Sequence, residues 1–257
     1  MTNKLDSCPI HIAQQMVKVP ANNLLYCLSS GRDYERLVSH LECVCLPLGT
    51  IIHREYEPIK YVYFPNQAMI SLVATMENGA TTEISLVGKE GMIGLPIVLG
   101  GKSINYEAVV QVTGTAMRIE AKILKQHFER FPSLRKIILL YVQIRLSYIS
   151  QLAACNRQHK IESRLARWLL LVQDCLKTDN LPLTHEFIAN MLGTNRAGVT
   201  IAAQKLQNLG MISYSRGSIT VKDRKQLEAA SCECYKVMGK ESHRLFADLD
   251  KPEWQRF

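Results

Sequence analysis

Between Thr184 and Val221 the chain reads helix, glycine, helix, then two short strands, an order that few folds accommodate. Thr184 is a good N-cap, with His185 and Glu186 in the first turn and Phe187, Ile188, Met191 and Leu192 apolar at helical spacing. Gly193 then supplies a left-handed residue that ends one helix so that another can start at a steep angle. Thr194 and Asn195 recap the chain, and a second helix is predicted over 196–209. It would bury Val199, Ala202, Ala203, Leu206 and Leu209 and carry Arg196, Gly198, Thr200, Gln204 and Lys205 on its other faces. Gly210 closes it. Met211 to Tyr214 and Ile219 to Val221 then form two strands joined through Ser215-Arg216-Gly217-Ser218, where the glycine permits a positive φ.

Two helices and a hairpin could simply pack on one another. The second helix nevertheless has a slim polar face, where Gly198, Thr200 and Ala203 permit close approach and Arg196 and Gln204 can bond phosphates or base edges. That combination points to double-stranded DNA as partner. The expected DNA contacts are Thr184, Thr194, Asn195, Arg196, Gly198, Thr200, Gln204, Ser215, Arg216 and Ser218, with Arg216 clamping the backbone from the wing tip.

The run LTHEFIANMLGTNRAGVTIAAQKLQNLGMISYSRGSITV resembles the DNA-binding domain of the Crp/Fnr family of bacterial transcription factors. The phrases LPLGTIIHREYEPIKYVYFPNQAMISLV and TTEISLVGKEGMIGLPIVLGG resemble that family's cyclic-nucleotide-binding β-roll. The resemblance implies an α+β protein: an N-terminal β-roll (jelly roll) sensor over 14–120, a central dimerisation helix region over 121–157, a winged helix-turn-helix over 158–225 and an extension over 226–257. It also implies a homodimer on a pseudo-palindromic operator that works with RNA polymerase.

Residue patterns agree with that outline. Short β-like runs occur at Cys43–Pro47, Thr50–His53, Tyr61–Phe64, Met69–Thr75, Thr81–Val87 and Glu107–Arg118, preceded by helical stretches at 23–28 and 33–41. Pro132 starts a helix predicted to reach about Asn156, in which Ile137, Tyr141, Ile144, Tyr148, Leu152 and Cys155 form one apolar seam. Such a seam serves either the domain's own core or, as the resemblance implies, a second subunit. Further helices are predicted over 161–176 and 224–238. The net charge of +8 is uneven: residues 121–157 carry 7 basic and 1 acidic side chains, whereas residues 1–120 carry 9 and 11. A local basic excess suits a polyanion. With no leader-like start, the chain is expected to be cytoplasmic, with no membrane partner.

The family's phosphate cassette holds a Gly-Glu pair for the ribose and an Arg for the cyclic phosphate. Here the matching positions read Gly94-Leu95-Pro96 and Asn105-Tyr106-Glu107, so cyclic AMP is not expected to bind in the family's manner and no cofactor is expected. The eight cysteines show two Cys-x-Cys pairs but no four-ligand run. Cys43 and Cys45 share a strand face and leave a thiol switch open, while Cys232 and Cys234 alone are too few ligands, so no metal is expected. A metal-dependent enzyme of cupin type would start from His53 and Glu55 on one strand face, but the second histidine is missing, and no enzyme is expected.

Overall fold

The computed structural model describes residues 24–25, 32–215 and 217–246. Arg216 and most of the stretch 23–28 lie outside the described residues. Helix α1 (Arg32–Val38) precedes strands β1 (Glu42–Leu46), β2 (Ile51–His53), β3 (Tyr61–Pro65), β4 (Met69–Thr75), β5 (Thr81–Val87), β6 (Glu107–Val112) and β7 (Gly114–Glu120). They form two sheets, ordered β1-β7-β3 and β2-β6-β4-β5. β6 alternates, turning Ala108 and Val110 inward, while β4 is buried from Met69 through Val73, as befits a strand covered on both sides. The single strand predicted over 107–118 is two strands in different sheets. At the crossing, a Cβ on Gly114 would sit 2.3 Å from the Ala68 nitrogen, so only glycine lets the chain pass.

Helices α2 (Ala121–Arg130), α3 (Pro132–Gln158) and α4 (Ile161–Leu176) follow. After β8 (Asn180–Leu181) come α5 (His185–Leu192), α6 (Arg196–Asn208), β9 (Ile212–Ser215) and β10 (Ser218–Val221), and then α7 (Arg224–Ala230) and α8 (Cys234–Phe246). The one helix predicted over 224–238 is broken between Ser231 and Glu233.

The chain divides into two compact units. One joins the described residues through Val73 with Ser85–Ile144; the other joins Ala74–Ile84, the tip of the β4–β5 hairpin, with Arg145–Arg244. These bounds cut α3 at Ile144 and fold residues 226–244 into the second unit, where the sequence suggested a separate central region and extension. In the first unit Leu37, Val62, Phe64, Met117, Ile119 and Leu124 share a core with Ile137, Tyr141 and Ile144. In the second, Leu165, Trp168, Leu169, Ile188, Val199, Leu206 and Ile219 are buried.

The expected dimer seam is therefore corrected. Ile137, Tyr141 and Ile144 are filled by the first unit's core, and Leu152 and Cys155, with Tyr148 against them, by a small cluster in the second. The face of α3 left in solvent carries Leu139 (46% exposed), Leu146 (63%) and Ile149 (42%). They stand seven and three residues apart, a spacing that keeps them on one side of the helix, while Val142 between them packs against the first unit's core. α3 is long and apolar enough to cross a membrane by length and composition, and these two apolar stripes account for it.

Candidate nucleic-acid interface

The second unit builds its surface from local rules. Thr184 Oγ1 accepts the Phe187 N–H at 3.2 Å and starts α5. Gly193 (φ 58) ends it in the left-handed conformation, and Asn195 Oδ1 accepts the Gly198 N–H at 2.7 Å to start α6. Arg164 donates to the Leu192 carbonyl, securing the corner. α6 buries Val199, Ala202, Ala203 and Leu206. Leu209, predicted inside, is 61% exposed because it is the C-cap, past the last helical turn.

Solvent-facing on α6 are Arg196, Ala197, Thr200, Ile201, Gln204 and Lys205. Arg196 and Gln204 thus stand where a nucleic acid could meet them. Lys205 is paired with Glu162 on α4. A Cβ on Gly198 would lie 3.2 Å from both Asn195 Oδ1 and Ile161 Cδ1, so its smallness serves α4–α6 packing as well as outward approach.

Thr200 and Ser218 are more constrained than expected. The Thr200 hydroxyl donates to the Arg196 carbonyl at 3.0 Å, and Thr200 Oγ1 lies 3.1 Å from His185 Nδ1. Having given its proton to the carbonyl, that oxygen accepts from the imidazole, so any base contact by this hydroxyl competes with two existing bonds. The His185 ring stacks on Tyr214 at 4.0 Å, and Gln207 Oε1 accepts the Tyr214 N–H at 2.8 Å. Burial, and then the charge of Arg196, hold His185 below the usual imidazole pKa. This His185–Thr200–Tyr214 cluster, which ties α5, α6 and the wing, escaped sequence reasoning because no periodicity links residues from three elements.

The wing turn is tighter than predicted. Ser215 and Ser218 are paired strand residues, and Gly217 has φ 82. A third strand, β8, pairs with β10, and the Ser218 hydroxyl bonds Asn180 Oδ1 and the Leu181 carbonyl within the sheet. Ser215 remains exposed, and Thr194 is half-buried at the turn.

Within the same unit the hairpin tip meets this domain. The Trp168 indole N–H donates to Glu83 Oε1 at 3.0 Å, and a Cβ on Gly193 would touch Thr82 at 3.0 Å. Buried Arg167 and Glu83 lie close enough to Tyr148 to act on it electrostatically, and burial pushes that phenol up to about 12.

In the first unit, Gly94-Leu95-Pro96 opens a short 3-10 turn (Leu95–Ile97). Leu95 and Tyr106, which the sequence resemblance matches to the family's cassette, pack against the apolar core. Glu107 is paired with Arg54 at 3.6 Å, so the carboxylate is not the bare negative charge the sequence suggested. The His53/Glu55 reading is corrected: β2 ends at His53, and Glu55 lies in a turn beside Tyr56 (φ 59) rather than on the strand face. His53 Nε2 is bonded to the Tyr61 carbonyl at 2.8 Å, and burial lowers its pKa. Cys45 is disulfide-bonded, while Cys43 is a free thiol raised by burial. Cys8, Cys27 and Arg216 lie outside the described residues. Cys232 and Cys234 do find partners, since Cys155 and His159 converge on them.

Residues 43–131 match the cyclic nucleotide-binding domain family, and residues 163–230 match the Crp-like helix-turn-helix domain family. The global nitrogen regulator of a Synechocystis species is 25% identical over 175 residues, covering 64% of this chain and 77% of that protein. A Crp/Fnr-family transcriptional regulator of Eubacterium rectale shares the fold with a TM-score of 0.65 and 21% identity over 80% of this chain and 96% of that one. FixK2 of Bradyrhizobium japonicum does so with a TM-score of 0.65 and 15% identity over 75% and 98%. With a nucleotide-binding-type β-roll followed by a Crp-like helix-turn-helix, the chain belongs to the Crp/Fnr family of DNA-binding transcription regulators.

Proposed function

We propose that the protein acts as a homodimer on a pseudo-palindromic operator, each subunit laying α6 in the major groove about one DNA turn from the other. The observation that carries this reading is α6 itself, whose one face is packed while Arg196, Ala197, Thr200, Ile201 and Gln204 stand in solvent. Arg196 and Gln204 would reach base edges or phosphates, and Ile201, 57% exposed, would suit a thymine methyl. Thr184, Thr194, Asn195, Ser215 and Arg216 would border the backbone. The outward residues Leu139, Leu146 and Ile149 would pair the subunits, replacing the inner seam read from the sequence.

The β-roll in this reading is a sensor of another signal or a passive scaffold rather than an enzyme. Cyclic AMP does not bind it in the family's manner, because Leu95 and Tyr106 pack, half-buried, against the core and Arg54 is already paired with Glu107. Its partners are DNA, a second copy and RNA polymerase, in the cytoplasm and with no membrane. Selection of duplexes from a random pool, without added ligand, tests the reading. A two-fold-symmetric motif with half-sites about one turn apart supports it, and weak sequence-independent binding overturns it. Cyclic AMP is expected to leave the affinity for the selected site unchanged in a mobility-shift titration.

A further inference from the structure

Four side chains from distant parts of the second unit bring their ligand atoms within 4.8 Å of one another: Cys155 near the end of α3, His159 in the turn after it, Cys232 between α7 and α8, and Cys234 at the start of α8. We propose that Cys155, His159, Cys232 and Cys234 form a binding site for a single zinc ion.

The distances fit one ion. A tetrahedral centre with Zn–S of about 2.3 Å and Zn–N of about 2.0 Å sets S···S at about 3.8 Å and S···N at about 3.5 Å. Cys155 Sγ and Cys232 Sγ are 3.5 Å apart, and Cys234 Sγ is 3.6 Å from His159 Nδ1. Small outward shifts of the thiols would admit the ion. An iron–sulfur cluster spreads its ligands over separate irons, which this tight group does not offer.

The surroundings are those of a ligand shell rather than of apolar packing. Cys155, Cys232 and Cys234 are free thiols exposed by 5% or less. Leu152, Met238, Tyr148 and Leu171 wall them in, which would keep a bound ion from exchanging quickly with solvent. His159 Nε2 lies 3.1 Å from a Glu233 carboxylate oxygen. That contact places the ring proton on Nε2 and turns the Nδ1 lone pair toward the thiols, the carboxylate–histidine–metal arrangement. Gln151 Nε2 donates to Cys234 Sγ at 3.1 Å, a bond suited to a thiolate. Arg164 and Arg167 act electrostatically on Cys155 and Cys232. On binding, the three thiols lose their protons to solvent and the neutral imidazole donates its lone pair. Three thiolates and one dication leave a net charge of −1, which the two guanidinium groups oppose, and nothing is oxidised or reduced.

An ion here would clamp the segment around Glu233 to the corner between α3 and α4. It would thereby close a loop whose ends, Cys155 and Cys232, are 77 residues apart.

The test uses the full-length protein purified under reducing conditions. One zinc per chain is expected by elemental analysis, and replacement by Co2+ should give the intense visible bands of tetrahedral thiolate coordination. Cys232→Ser and Cys155→Ser should lose the metal, while Cys43→Ser and Cys175→Ser, which remove none of the four ligands, keep it. Glu233→Gln, an exposed change that leaves every ligand in place, should weaken zinc about 10–100-fold in competition with a chelator. That variant keeps the test decisive if the serine variants fail to fold. The proposal is overturned if reduced wild-type protein binds no more zinc or cobalt than Cys232→Ser, if Glu233→Gln binds as tightly as wild type, or if iron with sulfide is found instead.

Discussion

The β2–β6 edge of the β-roll and the outer face of α6 treat their charges in opposite ways. At the edge and around it, Arg54 pairs with Glu107, Arg118 pairs with Glu42 at 2.8 Å and lies over Tyr61, and His53 is bonded to a backbone carbonyl. On α6, Lys205 pairs with Glu162, whereas Arg196 and Gln204 face water. An anion approaching the first region has to displace a carboxylate before it gains a cation. One approaching the second meets the charge directly and releases counterions in doing so. Cations at the β2–β6 edge are thus already engaged within the β-roll, while the outer face of α6 keeps a free one.

The largest expected effect concerns how two α6 helices act together. Leu146→Glu, on the exposed stripe of α3, should yield monomers in sedimentation and weaken operator binding roughly 10²–10⁴-fold by removing the second half-site; a dimer that persists would reassign the seam. Next, Trp168→Ala should destabilise the second unit by about 3–5 kcal/mol in urea unfolding, because it opens a cavity and strips Glu83 of its indole donor. A loss below about 1 kcal/mol would mean that the hairpin tip contributes little to this unit.

Arg196→Ala should cost on the order of 1–3 kcal/mol in DNA binding and relax preference at one base. Unchanged preference in a random-site selection would remove Arg196 from base reading. A pH test addresses the β2–β6 edge. Burial holds the folded-state pKa of His53 below 6.5, so the unfolded chain takes up the proton first. The associated stability is present above pH 6.5 and lost as pH falls below it, and His53→Gln should flatten part of that fall in thermal unfolding, His185 supplying a decline of the same sign. Equal pH slopes in wild type and variant would exclude His53. The smallest effect belongs to Arg54→Ala, whose half-exposed ion pair should be worth less than about 1 kcal/mol and whose loss should leave DNA affinity unchanged.

How much could be read beforehand varied with the range of the interactions. The 161–176 helix, both N-caps at Thr184 and Asn195 and the left-handed Gly193 depend on residues within a turn of one another, and they lie where the sequence puts them. The split at Gly114 was invisible because its cause, the Ala68 backbone, is far along the chain. The Arg54 partner of Glu107 was not legible either, since an ion pair between residues 53 positions apart leaves no mark on either segment alone.

By itself the sequence determined the helix-turn-helix with its wing and the excess of positive charge beyond residue 120, because propensity, capping and periodicity act locally. Only the tertiary structure decided which of two apolar stripes on α3 is filled by the chain's own core. Helical period is the same for a stripe that meets the core and for one that meets a partner. It also decided that Cys232 and Cys234 have companions, since a ligand set is a matter of distance in space, and Cys155 and His159 come to it from the far side of the entire helix-turn-helix.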